Sequence, residues 1–226
     1  MLCADIIKLR VNYAVADPFP HAVIDNFLEA SIIGDVVEEL RRTKVTSVWS
    51  SKKRSTGVKQ GLSNLDFMGQ HTRSAVTYLN SKEFITKLQV LTGIHGLIPD
   101  LALTGSGIHR IERGGFLNVH ADHNFLGELH RRVNVLLYLN EDWKEKYGGH
   151  LELWGLKQCK SRILPICNRA VIFNTTDTSY HGHPEPLTCP TNRTRDSIAL
   201  YYYTKNRPDK EKSKSHSTLY KKERLA

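Results

Sequence analysis

No stretch of this 226-residue chain approaches the roughly 18 consecutive apolar residues that a bilayer-spanning helix requires, so membrane embedding is not expected. Its start, Met1-Leu2-Cys3-Ala4-Asp5, lacks the basic opening and long apolar core of a secretory signal. Cysteine is scarce: Cys3, Cys159, Cys167 and Cys189 show no C-x-x-C spacing. That argues against a disulfide framework or a thiolate zinc site and fits reduced thiols in a cytoplasmic protein. A G-x-S-x-G nucleophile elbow is missing, and Gly105-Ser106-Gly107 is too short for a nucleotide fingerprint. No internal repeat or second-domain linker is visible. Acidic residues are outnumbered 23 to 32 by Lys and Arg, giving a net charge of +9. Between 205 and 224, eight basic residues face only Asp209, Glu211 and Glu223. The excess therefore sits in a Ser- and Lys-rich tail, expected to be flexible and solvated, and says little about the core. Nucleic acid is not expected at the core, with at most a weak contact through this tail.

What is present is an ordinary globular composition, 40% hydrophobic and 24% charged, at the length of one domain. Asp17-Pro18-Phe19-Pro20 reads as a rigid, extended entry, after which Asp25 or Asn26 can cap a helix over 27–42 with apolar residues at Leu28, Ile32, Val36, Val37 and Leu40. The polar stretch 50–63 reads as a flexible loop. The pattern predicts a second helix over 72–91. Each helix has a single apolar stripe, which suits packing on a sheet. From 101 onward the texture changes to short apolar segments cut by turns. Strands are expected at 103–112, 116–120, 133–139, 150–154, 170–174, 179–183 and 197–203. Helices first and then many short strands imply an α+β, mainly β fold whose β part is a sandwich or jelly roll, and the form expected is a double-stranded β-helix (jelly roll) with N-terminal supporting helices. The expected organisation is a single domain over 1–206, with helical support over 1–100 and the jelly-roll core over 101–206, followed by a tail over 207–226.

His120-Ala121-Asp122, with His181 far downstream, carries the chemistry. Two imidazoles and one carboxylate are the protein ligands of a non-haem iron(II) site that keeps open positions. His120 and Asp122, two apart near a strand end, project to the same side. His183, two residues after His181 and on the same strand face, competes for the third position, and His123 and His150 are weaker competitors read as rim or sheet residues.

Four segments in order resemble the prolyl-4-hydroxylase-type iron(II)/2-oxoglutarate dioxygenases, the oxygen-sensing prolyl hydroxylases in particular. Arg110 to Asp122 is similar to the strand that delivers the family's His-x-Asp. Arg132-Val133-Asn134-Val135-Leu136-Leu137-Tyr138-Leu139-Asn140-Glu141-Asp142-Trp143, followed by Gly148-Gly149-His150-Leu151-Glu152-Leu153, looks like the strand after it. Ser179-Tyr180-His181-Gly182 and Arg195-Asp196-Ser197-Ile198-Ala199-Leu200-Tyr201 resemble the distal-histidine and co-substrate segments. The resemblance spans 101–203. It implies His120, Asp122 and His181 as both metal ligands and catalytic residues, with Fe(II) as metal and 2-oxoglutarate and O2 as co-substrates, and admits ascorbate.

A buried carboxylate needs a cation, and Arg195 can grip the distal end of 2-oxoglutarate bidentately. Arg193 lies close by, but the resemblance places Arg195 inward. Tyr138 matches a tyrosine that shares this carboxylate, against the plain alternative of a core tyrosine, and Ser197 can add a hydroxyl. One departure stands out: Ile111 occupies the position, nine before the first histidine, where many relatives carry tyrosine. Arg110, Ile111, Asn118 and Asn124 are the candidate substrate-pocket residues. With Asp122 present, the implied reaction is oxidative decarboxylation of 2-oxoglutarate coupled to C–H hydroxylation, where a small residue would instead suit a halogenase. The expected substrate is a prolyl residue in a peptide or protein. The alternative is a free amino acid or small biosynthetic metabolite, and a non-catalytic jelly-roll binding protein is the contrasting class. A nucleic-acid-repair dioxygenase is disfavoured because its second arginine, six after Arg195, would fall on Tyr201.

Overall fold

The computed structural model describes residues 1–55 and 57–221. Its helices are α1 (Arg10–Val15), α2 (Ala30–Arg42), α3 (Gln70–Leu79) and α4 (Lys82–Thr92). Its strands are β1 (His21–Ile24), β2 (Ser50–Arg54), β3 (Gly57–Leu62), β4 (Ile98–Pro99), β5 (Gly107–Ile111), β6 (Leu117–Ala121), β7 (Phe125–Leu126), β8 (Leu129–Tyr138), β9 (Leu151–Trp154), β10 (Cys159–Ile163), β11 (Ala170–Asn174), β12 (Tyr180–His183), β13 (Arg195–Thr204) and β14 (Leu219–Tyr220). Among the described residues no helix is long and apolar enough to cross a membrane.

Two long strands, β8 and β13, organise the fold through period-two alternation. Val133, Val135 and Leu137 of β8 and Ile198, Leu200 and Tyr202 of β13 share one apolar cluster with Val36 and Leu40 of α2, Val76 and Leu79 of α3 and Leu88 and Leu91 of α4. Tyr202 closes this layer by donating its hydroxyl to the Leu79 carbonyl at 2.7 Å. The alternate residues Asn134, Leu136, Tyr138, Ser197 and Tyr201 line a cavity on the other face. Both faces of β13 are thus covered, which explains why all ten of its residues are buried.

Strand pairing is antiparallel along the order β1-β11-β8-β13-β5-β3-β6-β12-β9-β10. Strand β3 bonds to both β5 and β6, so the sheet turns a corner there and curls into a nearly closed jelly-roll barrel. The expected α+β architecture, with helices packed outside a jelly roll, is what the chain adopts.

Several local expectations are corrected. The stretch 72–91 is two helices, because Asn80-Ser81 breaks it: Ser81 is extended and its hydroxyl caps α4 through the Phe84 amide at 3.3 Å. Helix α2 starts at Ala30 and not at 27, with neither Asp25 nor Asn26 as its cap. Asn26 takes a left-handed φ of 51°, and the Asn168 side chain holds the Leu28 amide at 2.9 Å and its carbonyl at 2.7 Å. That backbone is committed elsewhere before the helix begins. The polar stretch 50–63 is mostly a hairpin, β2–β3, and not a flexible loop. Its second strand supplies the corner of the barrel. The tail is packed as far as Lys221, ending in β14 on β6; the tail residues Lys222, Glu223 and Arg224 lie outside the described residues.

Arg110 is a structural clamp. Its guanidinium meets Asp196 at 2.8 Å, donates to the Leu40 carbonyl at 2.8 Å and the Thr43 carbonyl at 2.9 Å, and lies over the Trp49 ring. It points away from the barrel interior and fastens the end of α2 to the sheet, so it is not a substrate-pocket residue. Removing one partner of a buried, hydrogen-bonded ion pair leaves the other charge unpaired, at a cost of about 3–5 kcal/mol. Arg110→Met should lose stability of that order in urea unfolding, while the folded fraction keeps its affinity for 2-oxoglutarate.

Candidate active site

The register between β6 and β12 places His120 directly opposite His181. Their rings are 4.6 Å apart, centroid to centroid. Asp122, just beyond β6, brings Oδ1 to 3.6 Å from His120 Nε2 and Oδ2 to 3.6 Å from His181 Nε2. The three donor atoms lie within 4.8 Å of one another. Each histidine spends its other nitrogen on a backbone carbonyl two residues earlier: His120 Nδ1 to Asn118 at 2.8 Å, and His181 Nδ1 to Ser179 at 3.0 Å. Those bonds fix both rings with Nε2 turned inward, as metal-binding histidines are normally held. Two imidazoles and a carboxylate converging in this way fit iron(II).

Asp122 is anchored in turn. Arg131 reaches its Oδ2 at 2.9 Å and the Asn134 amide donates to the same oxygen at 2.8 Å. The Arg131 guanidinium also grips Asn134 Oδ1 and stacks 3.5 Å from the Tyr201 ring centre. Burial favours a protonated Asp122, but Arg131, His181 and His120 outweigh it and hold the carboxyl well below its ordinary range. Burial drives His181 down to about 4 against the pull of Asp122. Both groups therefore stand in the protonation states that a metal requires.

The cavity around this triad has a volume of about 230 Å³. Deeper in it, Arg195 is buried, donating Nε–H to the Gly149 carbonyl at 2.8 Å and facing the Tyr138 hydroxyl at 3.4 Å. Its neighbour Asp196 is turned the other way, onto Arg110. Ser197 and Ile111 also face the cavity. A buried guanidinium with a phenol and a hydroxyl beside it suits the distal carboxylate of a dicarboxylic co-substrate. Arg193, the competing arginine, bonds the Glu141 carbonyl at 2.7 Å outside this cavity.

Two other sequence candidates are reassigned. Asn118 serves through its backbone carbonyl, and its side chain is not part of the cavity wall. Asn124 spends its amide on the C-terminal segment, bonding Ser213, Lys214 and His216. His183 lines the cavity but stands outside the triad, and neither ring nitrogen has a protein partner. His123 is also on the cavity wall, whereas His150 bonds Glu145 at 2.8 Å.

Sequence reasoning missed Arg131, Asn134, Thr218 and Tyr220. Asn134 was legible, since it shares parity with Tyr138 on one strand. Arg131 was not, because the β8–β13 register slips between Tyr202 and Tyr203, which pair with Val133 and Arg131. The bulge skips Arg132 and turns Arg131 inward.

Comparison with known proteins follows the same lines. Residues 106–203 match the sequence model of the 2OG-Fe(II) oxygenase superfamily. Over 194 residues the chain is 28% identical to mouse (Mus musculus) prolyl 3-hydroxylase OGFOD1, covering 83% of this chain and 33% of that protein. It thus spans about a third of the length of that curated relative. Among solved structures, a Pseudomonas putida prolyl-4-hydroxylase superposes with a TM-score of 0.64 at 17% identity, covering 89% of this chain and all of the other. A Trichoplax adhaerens prolyl hydroxylase, solved with a hypoxia-inducible-factor peptide fragment, gives 0.60 at 20% identity, covering 88% and 89%.

Groups that orient a metal ligand typically contribute about 10–100-fold to metal affinity. Arg131→Met should weaken Fe(II) binding by that factor in a competitive chelator titration, with secondary structure unchanged by circular dichroism. Unaltered affinity would show that Asn134 alone suffices to hold Asp122.

Proposed function

We propose that this chain, whose residues 106–203 match the sequence model of the 2OG-Fe(II) oxygenase superfamily, hydroxylates a prolyl residue of a peptide or protein, using Fe(II), 2-oxoglutarate and O2. The observation that carries the reading is one cavity shared by the His120–Asp122–His181 cluster and the buried Arg195–Tyr138 pair. The prolyl assignment draws on the mouse relative, a prolyl 3-hydroxylase. Ascorbate as a supporting reductant and a cytoplasmic setting belong to the same proposal.

His120, Asp122 and His181 would hold the metal through Nε2, a carboxylate oxygen and Nε2. When bound, iron and 2-oxoglutarate supply the oxidative activation of dioxygen, with decarboxylation of the oxo acid to succinate. The chain's own residues do the positioning. Arg195 neutralises and orients the distal carboxylate, with Tyr138 and Ser197 as neutral donors beside it. Arg131 and Asn134 keep Asp122 ionised and aimed. Ile111 puts an apolar wall where many relatives have a hydroxyl, and it packs with Trp143, Tyr147, Leu187 and Cys189.

Purified protein supplied with Fe(II), 2-oxoglutarate and air should add one oxygen to proline in a panel of proline-containing peptides, read by mass spectrometry, with matching succinate. Oxygen gained only by free amino acids would replace the prolyl reading with the small-molecule one. His181→Ala should abolish stoichiometric iron binding and succinate formation together. Arg195→Ala should raise the 2-oxoglutarate requirement at least tenfold while iron affinity stays within twofold, and an unchanged requirement would move the carboxylate anchor elsewhere.

A further inference from the structure

The region matched by the superfamily ends at 203, yet the wall of the iron cavity does not. Thr218 and Tyr220, from the C-terminal segment, also line it, and the Tyr220 ring centre lies 5.6 Å from that of the metal-ligand candidate His120. We propose that residues 213–221 form a fixed roof over the iron site, and that Tyr220 and Thr218 are substrate-contacting residues that determine which substrate is accepted.

The segment is pinned at both ends. At one end the buried Asn124 amide is wholly spent on it: Nδ2 donates to Ser213 Oγ and the Lys214 carbonyl, and Oδ1 accepts from the His216 amide, all at 2.9 Å. His216 Nε2 lies 2.9 Å from Asp177 Oδ1. At the other end the Lys221 ammonium sits between the Trp154 and Tyr180 rings, 5.0 and 5.3 Å from their centres, and donates to the Gly155 and Leu156 carbonyls. Between these anchors the chain adds a strand to β6, with Leu219 opposite Ala121 and Tyr220 opposite His120. The Lys221 amide extends the pairing to the Val119 carbonyl at 2.9 Å.

This edge of β6 is divided between two partners: β3 meets it at Leu117, and β14 takes over at His120. Without β14 the metal-bearing end of β6 would present bare backbone groups, which a sheet edge must satisfy with some partner. His216, Thr218 and Tyr220 share the inward side at period two, while Ser217 and Leu219 face solvent. The cavity persists beneath them with a volume of about 230 Å³, so the segment roofs the site and does not fill it. A substrate that reaches the iron from this side must pass the Tyr220 ring.

The inference rests on the proposed iron site and is tested so that the two can fail separately. Iron-loaded wild type is compared with Tyr220→Ala, and with Asn124→Ala and Lys221→Met, which release the two anchors. Three results are expected: slow deuterium exchange at the Lys221 amide in the wild type, iron stripping by 2,2′-bipyridine at least fivefold faster in every variant, and an at least tenfold change in oxygenated product per succinate across the proline-peptide panel in Tyr220→Ala. Iron and 2-oxoglutarate affinities should stay within twofold of wild type in Tyr220→Ala. A wild type that binds no iron overturns the proposed function and this inference with it. A wild type that binds iron while Tyr220→Ala leaves both stripping and product per succinate unchanged overturns the roof alone, as does an unprotected Lys221 amide.

Discussion

The register between β6 and β12 is the constraint on which the rest of the site depends. It sets His120 opposite His181, and the slip that follows brings His183 opposite Leu117. Gly182 makes this fit possible: a Cβ there would lie 2.8 Å from the Leu117 carbonyl oxygen and 2.9 Å from that of Asn118. The same Asn118 carbonyl receives Nδ1 of His120. A side chain at 182 would therefore push apart the two strands that carry the metal donors and disturb the bond that aims one of them. A one-residue slip of either strand would turn its histidine to the opposite face, so the donor cluster exists only in this register.

Charge balance follows from that geometry. Among the described residues Asp122 is the one carboxylate in the cavity wall, and it is committed to Arg131 and Asn134 before any ligand arrives. Arg195, by contrast, is buried with a carbonyl and a phenol as hydrogen-bond partners, an arrangement that leaves its positive charge for an incoming anion. The two arginines thus have opposite tasks in one cavity. The first keeps Asp122, a candidate metal ligand, ionised and oriented, and the second is the one proposed to recognise a carboxylate. The barrel separates them by strand: Arg131 enters from β8 through a bulge, and Arg195 opens β13.

Much of this was readable in the sequence because the relevant signals are local or periodic. The His-x-Asp spacing, the alternation of Val133 to Tyr138 and the continuous apolar stretch of β13 each fix a face without reference to the rest of the chain. What could not be read depends on long-range commitments. Asn26 to Leu28 cannot open a helix because Asn168, distant in sequence, already holds that backbone. The polar stretch 50–63 has no apolar alternation, yet it pairs with β5 and β6 because the barrel corner needs a strand there. Arg110 and Asn124 were legible as polar residues close to the motifs, but their direction was not: one faces α2 and the other the C-terminal segment. Polarity near a motif marks a candidate, and only packing decides where its side chain points.

The molecule therefore divides its labour between regions of different sequence character. The candidate iron ligands and Arg195 sit on or just beyond regular strands within 106–203, where position is enforced by ladder hydrogen bonds. Two segments outside that span, the hairpin β2–β3 and the proposed roof 213–221, each borrow part of the free edge of β6. A rigid scaffold with variable borders is the usual arrangement for changing specificity while preserving chemistry. Here the border is bonded directly to the scaffold's most constrained strand, so a change in the roof is felt beside His120 without displacing it. In the proposed arrangement selectivity can vary at Tyr220 and Thr218 independently of the donor set, because the ladder that carries the roof uses β6 backbone and leaves the side chains of His120 and Asp122 available to a metal.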